Sequence, residues 1–260
     1  MLIQDIAVEK ISKSLQNDEC VQAIFLKGSM GRNEYDEHSD IDLYCLVDKK
    51  DEASFLSRRI NHLEAYRSIF FYDDIFIIAP QIIAVYDDYL HIDLFTVTKE
   101  SFLDKDYFKV IYDPNQLLDG FKDKQSLVIS DFEFREDVLD VAWFMFQYKK
   151  SAARGNDLWS VKMLTNVMQH LARVLLHRYN PKRAQLGLKT IEKSLPEEII
   201  RLLNEVSEQL TPKKHQHAAF LLSSFLSKEA DWIASQLKDE DQAMLLLNKM
   251  VEFHLQNNSI

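Results

Sequence analysis

The order of apolar and polar positions divides the chain into two textures. Ile3, Ile6, Ala7, Val8, Ile11 and Leu15 recur at helical spacing and predict an opening amphipathic helix. The apolar run Val21 to Leu26 predicts a first strand, and Ile41 to Val47 a second. Residues 51–66 are helix-forming in composition, with apolar positions at Phe55, Leu56, Ile60 and Leu63, and predict one crossover helix lying on a sheet. Ile75 to Ala79 and Ile82 to Val85 read as two β-rich runs split at Pro80-Gln81. Tyr89 to Val97 alternates as a strand, and Phe108 to Tyr112 is a weaker extended run ending in the turn sequence Asp113-Pro114-Asn115.

From about Asp131 the period changes to 3.6. Val138, Val141, Ala142, Met145 and Tyr148 form one stripe; Leu164, Val167, Met168, Leu171, Val174 and Leu175 form the next. Breaks fall at Gly155-Asn156, Asn180-Pro181, Leu195-Pro196 and Thr211-Pro212. The pattern predicts an α+β N-terminal domain, a mixed sheet with flanking helices, over residues 1–125. An all-α helical bundle follows over 126–260, with the linker near Gly120 to Ser130. Trp143, Trp159 and the aromatic run from Trp143 to Phe146 are expected in the bundle core.

Composition narrows the function classes. At 260 residues, 47% apolar and 28% charged, the chain has the balance of an ordinary globular protein. Its net charge of −10 disfavours a nucleic-acid partner, whose backbone selects a basic surface. No run is long and apolar enough to span a bilayer, and the charged N-terminus lacks the apolar stretch of a secretion signal. Its two cysteines, Cys20 and Cys45, have no disulfide or zinc spacing and are expected as buried thiols. A soluble, cytoplasmic protein without a membrane partner is the expectation.

The chemistry concentrates in Lys27 to Leu43, KGSMGRNEYDEHSDIDL. Asp40 and Asp42 alternate at the start of a strand, so both point to one face while Ile41 and Leu43 enter the core. Adjacent carboxylates repel unless a cation neutralises them, and magnesium, which takes hard oxygen ligands and completes its shell with water and phosphate, is the expected one. Gly28 and Ser29 end the preceding strand, where a glycine admits close approach of a phosphate and the serine donates to it. Asp93, flanked by Ile92 and Leu94 on a later strand, repeats the Ile41-Asp42-Leu43 pattern and is the natural third carboxylate. Two magnesium ions held this way would serve phosphoryl chemistry on a triphosphate.

Gly-Ser, about a dozen residues, Asp-x-Asp and a later strand acid together resemble the nucleotidyltransferase superfamily with the DNA polymerase β-like fold. Within it the chain looks like the small antibiotic-modifying members, the lincosamide and aminoglycoside nucleotidyltransferases. That resemblance implies magnesium at Asp40 and Asp42, Asp93 as third ligand or base, triphosphate contact at Gly28 and Ser29, and ATP or another NTP as co-substrate. It implies transfer of a nucleoside monophosphate, AMP from ATP, to a hydroxyl of a small molecule with release of pyrophosphate. Val141 to Arg154, VAWFMFQYKKSAAR, resembles a segment of the streptomycin-type enzymes, and by that resemblance Lys150 contacts the triphosphate. Some relatives draw the general base from the helical domain, where Glu133, Glu136 and Asp137 are candidates. Several relatives build the acceptor pocket between subunits, so the resemblance admits a homodimer.

Other residues carry weaker signals. Arg32 reaches either a phosphate or Glu34 or Asp36. His91 shares a strand face with Asp93 and either orients it or lines the cleft. His170 with His177, and His215 with His217, lack a third ligand at zinc spacing and read as surface or core histidines. Two alternative functions remain: the same chemistry on a protein or tRNA acceptor, and a nucleotide-binding regulatory or antitoxin-type partner.

Overall fold

The structure is a computed structural model that describes residues 2–102 and 105–256. It divides into two compact units, Met1–Ser126 and Leu127–Ile260.

The first unit is a six-stranded mixed sheet in the order β3-β4-β5-β2-β1-β6. Its strands are β1 (Val21–Leu26), β2 (Ile41–Val47), β3 (Ile69–Phe76), β4 (Pro80–Tyr86), β5 (His91–Val97) and β6 (Lys109–Tyr112). Only the central β2/β5 pair is parallel. Helix α1 (Ile3–Gln16) buries Ala7, Val8, Ile11 and Leu15 against one sheet face, together with Ile24, Leu43, Ile92 and Leu94. The other face holds the aromatic set Phe25, Tyr44, Phe95, Phe102 and Phe108. Tyr44 stacks on Phe95 at 4.3 Å and on Phe25 at 5.1 Å. A single turn, α2 (Gly28–Gly31), follows β1 directly.

Three sequence expectations are corrected here. The helix expected over residues 51–66 is two short ones, α3 (Glu52–Leu56) and α4 (Arg59–Leu63). The break falls where the Ser57 hydroxyl donates back to the Ser54 carbonyl, and where successive arginines are tied to different anchors. Arg58 binds Asp18 through two nitrogens at 2.8 and 2.9 Å, and the buried Arg59 binds both oxygens of Asp74. Second, Pro80-Gln81 is no break. Pro80 opens β4, a position that needs no donor, and the turn falls on residues 77–79. Third, β3 starts at Ile69 rather than Ile75. Its Phe70 to Asp74 segment is exposed on both faces, so no burial alternation marks it.

The second unit is helical: α5 (Asp131–Ala153), α6 (Asp157–Tyr179), α7 (Ile191–Ser194), α8 (Glu197–Gln209), α9 (His215–Gln236) and α10 (Gln242–Gln256). Helix α5 begins at a capping box, in which the Glu133 amide donates to the Ser130 hydroxyl and the Ser130 amide to the Glu133 carboxylate. Both expected apolar stripes are buried in its core. Trp143 and Trp159 are not; each sits on a helix face opposite its stripe and is about half exposed. Cys45 is buried, but Cys20 is only partly so, with the Arg58 guanidinium 3.2 Å from its sulfur. Among the described residues no helix is long and apolar enough to cross a membrane.

Burial in this unit has a consequence for acid stability. Desolvation lowers the His254 pKa from 6.5 to about 4. The folded state therefore keeps this imidazole neutral while the unfolded chain takes up a proton. Stability falls as pH drops from about 6.5 towards 4, by on the order of 3 kcal/mol from this residue. Denaturant melts at pH 7 and pH 4.5 should show that loss, and His254→Asn should remove most of it. An unchanged pH dependence in the variant would place the acid sensitivity elsewhere.

Candidate active site

The site is built at one end of the sheet's centre. The parallel register sets Asp42 of β2 directly opposite Asp93 of β5. Both follow the pleat that carries Tyr44 and Phe95 inward on the same face, and both are half-buried. Asp40 stands one residue before β2 and is exposed. His91 begins β5, and its Nε2 lies 3.1 Å from Asp93 Oδ1. That hydrogen bond raises the His91 pKa, and the charges of Asp93, Asp40 and Asp42 add to it against the opposing effect of burial. The imidazole is thus bonded to Asp93 and within reach of the charges of Asp40 and Asp42. The phenol of Tyr44 is pushed up as well, by burial first and then by Asp42 and Asp93.

Gly28 supplies the room. Its φ is +59°, and a Cβ built there would lie 2.0 Å from Asp42 Oδ2. The absent side chain is the space the Asp42 carboxylate uses. Beside it, the Ser29 hydroxyl is buried and has no hydrogen-bond partner. A buried orphan hydroxyl costs stability unless a ligand satisfies it. Lys27, just before Gly28, was not singled out by its sequence context. Its ammonium is buried, donates to the Lys105 carbonyl at 3.0 Å and lies over the rings of Phe102 and Tyr44. The only sequence signal for it is adjacency to Gly-Ser.

Among the described residues no group of three or more His, Cys, Asp or Glu is assembled closely enough to hold a metal ion alone. A magnesium ion that draws part of its shell from water and phosphate does not need a closed protein cage. The two register-paired acids, the glycine that leaves one of them its place and the unsatisfied Ser29 hydroxyl fit a metal-bound triphosphate.

A cavity of about 480 Å³ adjoins Asp40 and His91, lined also by Gln4, Glu37, His38, Ser39, Asp88 and Tyr89 among others. Gln4 holds its rim by donating to the carbonyls of Glu37 and Ser39. Arg32 is not aimed at a ligand. Its guanidinium binds Glu34 at 3.0 Å and Asp106 at 2.5 Å.

Lys150 belongs to the second unit, on α5, with its ammonium over the Phe146 ring; its assignment to nucleotide rests on resemblance alone. The carboxylates considered there as bases are already engaged. Glu133 closes the α5 cap, Glu136 binds Arg135, and Asp137 binds His170 and Arg173. His215 is buried, its Nδ1 2.9 Å from the Tyr148 hydroxyl, and His177 is half-buried with its pKa lowered by desolvation. Neither is part of a metal set.

No curated protein matches this chain significantly. Two solved structures align over most of it at low identity. An aminoglycoside 6-adenyltransferase from Bacillus subtilis is 13% identical, with 98% of each chain covered and a TM-score of 0.41. A nucleotidyltransferase-like protein from Exiguobacterium sibiricum 255-15 is 13% identical, with 98% of this chain and 75% of that one covered and a TM-score of 0.36. Both likenesses are too loose to position any residue. Residues 9–82, which carry Gly28, Ser29, Asp40 and Asp42, match the family model described as Polymerase beta, Nucleotidyltransferase.

Proposed function

We propose that the protein transfers AMP from magnesium-bound ATP to a hydroxyl of a small cationic acceptor, releasing pyrophosphate. The observation that carries this reading is the pairing of Asp42 with Asp93 across parallel strands, beside a glycine whose missing side chain makes the space. Asp40, Asp42 and Asp93 would hold the magnesium. Bound there, the metal supplies charge neutralisation of the triphosphate and orientation of the phosphoryl group under attack. Gly28 gives the Asp42 carboxylate its place at the end of β1, next to the triphosphate, and the Ser29 hydroxyl donates to one of the triphosphate oxygens.

Asp93 is the base. His91 fixes the Asp93 Oδ1 oxygen, which would keep its second lone pair for the magnesium. The other carboxylate oxygen takes the proton of the acceptor hydroxyl as the hydroxyl oxygen bonds to the α-phosphorus. The bond from the α-phosphorus to the β-bridging oxygen breaks, and pyrophosphate leaves. The cavity next to Asp40 is the acceptor pocket. Glu37, Asp40 and Asp88 give it negative charge, and the exposed ring of Tyr89 offers a face for an ammonium group.

Pyrophosphate release tests the reading, with Mg-ATP, the other nucleoside triphosphates, and a panel of aminoglycosides and lincosamides. Release that depends on a hydroxylated cationic acceptor supports it. No release with any acceptor, or release only with tRNA or a protein substrate, would overturn the small-molecule assignment.

Ser29→Ala separates binding from folding. Removing an unsatisfied buried hydroxyl should leave the melting temperature equal or higher. Loss of one hydrogen bond to phosphate, worth about 1–2 kcal/mol, should raise the KM for ATP by roughly 5- to 30-fold. A variant with unaltered KM would remove Ser29 from the nucleotide site.

A further inference from the structure

The row of side chains that carries Asp42 and Asp93 extends one strand further. Leu26 is in antiparallel register with Leu43, and the Lys27 amide continues that ladder by donating to the Asp42 carbonyl at 3.0 Å. Directly opposite residues share a sheet face, so Lys27, Asp42 and Asp93 stand side by side across the ends of β1, β2 and β5. Behind them lies a second row, Phe25, Tyr44 and Phe95, whose rings stack at 5.1 and 4.3 Å. The Lys27 ammonium leans over that row, 5.4 Å from the centre of the Tyr44 ring and 5.0 Å from that of Phe102, and is fixed by the Lys105 carbonyl. The residue is 6% exposed. Burying an ammonium is costly, and a methionine would fill the same aromatic space without that cost. Packing gives no reason for a charge at this place; the two acids in the same row do.

We propose that Lys27 is a positioning residue of the metal site that sets the order in which the site is loaded. Before the metal arrives, its positive charge offsets the repulsion between Asp42 and Asp93 and keeps the two carboxylates beside each other. The same charge repels a bare divalent ion and attracts the phosphates of a nucleotide, so the metal enters as its triphosphate complex rather than alone. This inference rests on the reading of Asp40, Asp42 and Asp93 as metal ligands, and adds to it a reason why the acids do not fill with metal in the absence of nucleotide.

Lys27→Met and Lys27→Gln test this on the full chain, with free manganese counted by electron paramagnetic resonance. Both variants remove the charge and fill the space, and glutamine also keeps a donor for the Lys105 carbonyl. In each, the dissociation constant for manganese without nucleotide should fall roughly 10-fold, while that for the manganese complex of a non-hydrolysable ATP analogue should not fall. The rise in melting temperature on adding manganese should grow accordingly. Lys213→Met, which removes the same charge from an exposed position in the helical unit, should change neither constant. A lysine needed only for packing gives the opposite sign, because a loosened site binds metal more weakly. Bare-ion affinity that is unchanged or weaker in both variants, a nucleotide complex that gains as much as the bare ion, or loss of folding in both variants overturns the assignment of Lys27 alone. A wild-type chain that binds neither manganese nor its nucleotide complex overturns the metal reading of the acids, and the role of Lys27 with it.

Discussion

Replacing Asp42 with asparagine is expected to lower nucleotidyl transfer by about 10³-fold while the protein stays folded, because the lost group acts on charge that develops in the transition state. The amide keeps the shape and half-burial of the side chain it replaces, so the far-UV spectrum should be retained and the thermal transition should move by only a few degrees. The informative comparison is with Asp93→Asn and the double variant. Asp42 and Asp93 are register partners and are proposed to share a cation. If they act as one unit, the double substitution costs little more than the worse single one, since either alone already disables the site. Multiplicative losses would mean that the two carboxylates do separate work. Unchanged pyrophosphate release in Asp42→Asn would end the mechanism outright.

Gly28→Ala is expected to cost both stability and activity through one contact. A methyl at residue 28 lies 2.0 Å from Asp42 Oδ2 and 3.1 Å from its Cγ, on a backbone at φ +59°. The strained backbone and the displaced carboxylate should together destabilise the first unit by about 1–3 kcal/mol. Asp42 must also swing away, so transfer should fall nearly as far as in Asp42→Asn. Gly155→Ala separates the two causes. Gly155 has φ +69° but open space around it, so alanine there should show only the backbone cost and full activity. Thermal melts and pyrophosphate release on both variants give the answer. Full activity in Gly28→Ala would show that the Asp42 carboxylate need not occupy its observed position.

Much of this was legible in the sequence where burial writes a continuous run or a stripe. Strands β1 and β2 fall on their expected bounds because both faces of each are buried, which makes each a near-continuous apolar run, and the α5 and α6 stripes are legible because one face of each helix is buried. Legibility failed where a tertiary partner decides. β3 has no inner face to betray it, and α3 and α4 are separated by arginines whose anchors, Asp18 and Asp74, are remote in sequence. Trp143 and Trp159 were expected in the core on size alone, and their phase on the helix sends them outward.

At the site, the residue types were readable and their mutual placement was not. Nothing in the spacing of Gly28 and Asp42 says that one makes room for the other. Arg32 was ambiguous because its decisive partner, Asp106, lies 74 residues away.

The parallel pairing of β2 with β5 has a consequence for how the protein acquires activity. The two strands meet only after the chain has passed through residues 48–90, so the acids come together through a long-range closure rather than a local turn. A slip of one residue would present Ile92 or Leu94 to Asp42 and turn Asp93 to the opposite face. Molecules trapped in such a slip would keep nearly the same secondary structure and lose the site. Turnover per mole of protein therefore counts the fraction of chains that closed the sheet in the correct register, and following its recovery after dilution from denaturant would time that single event.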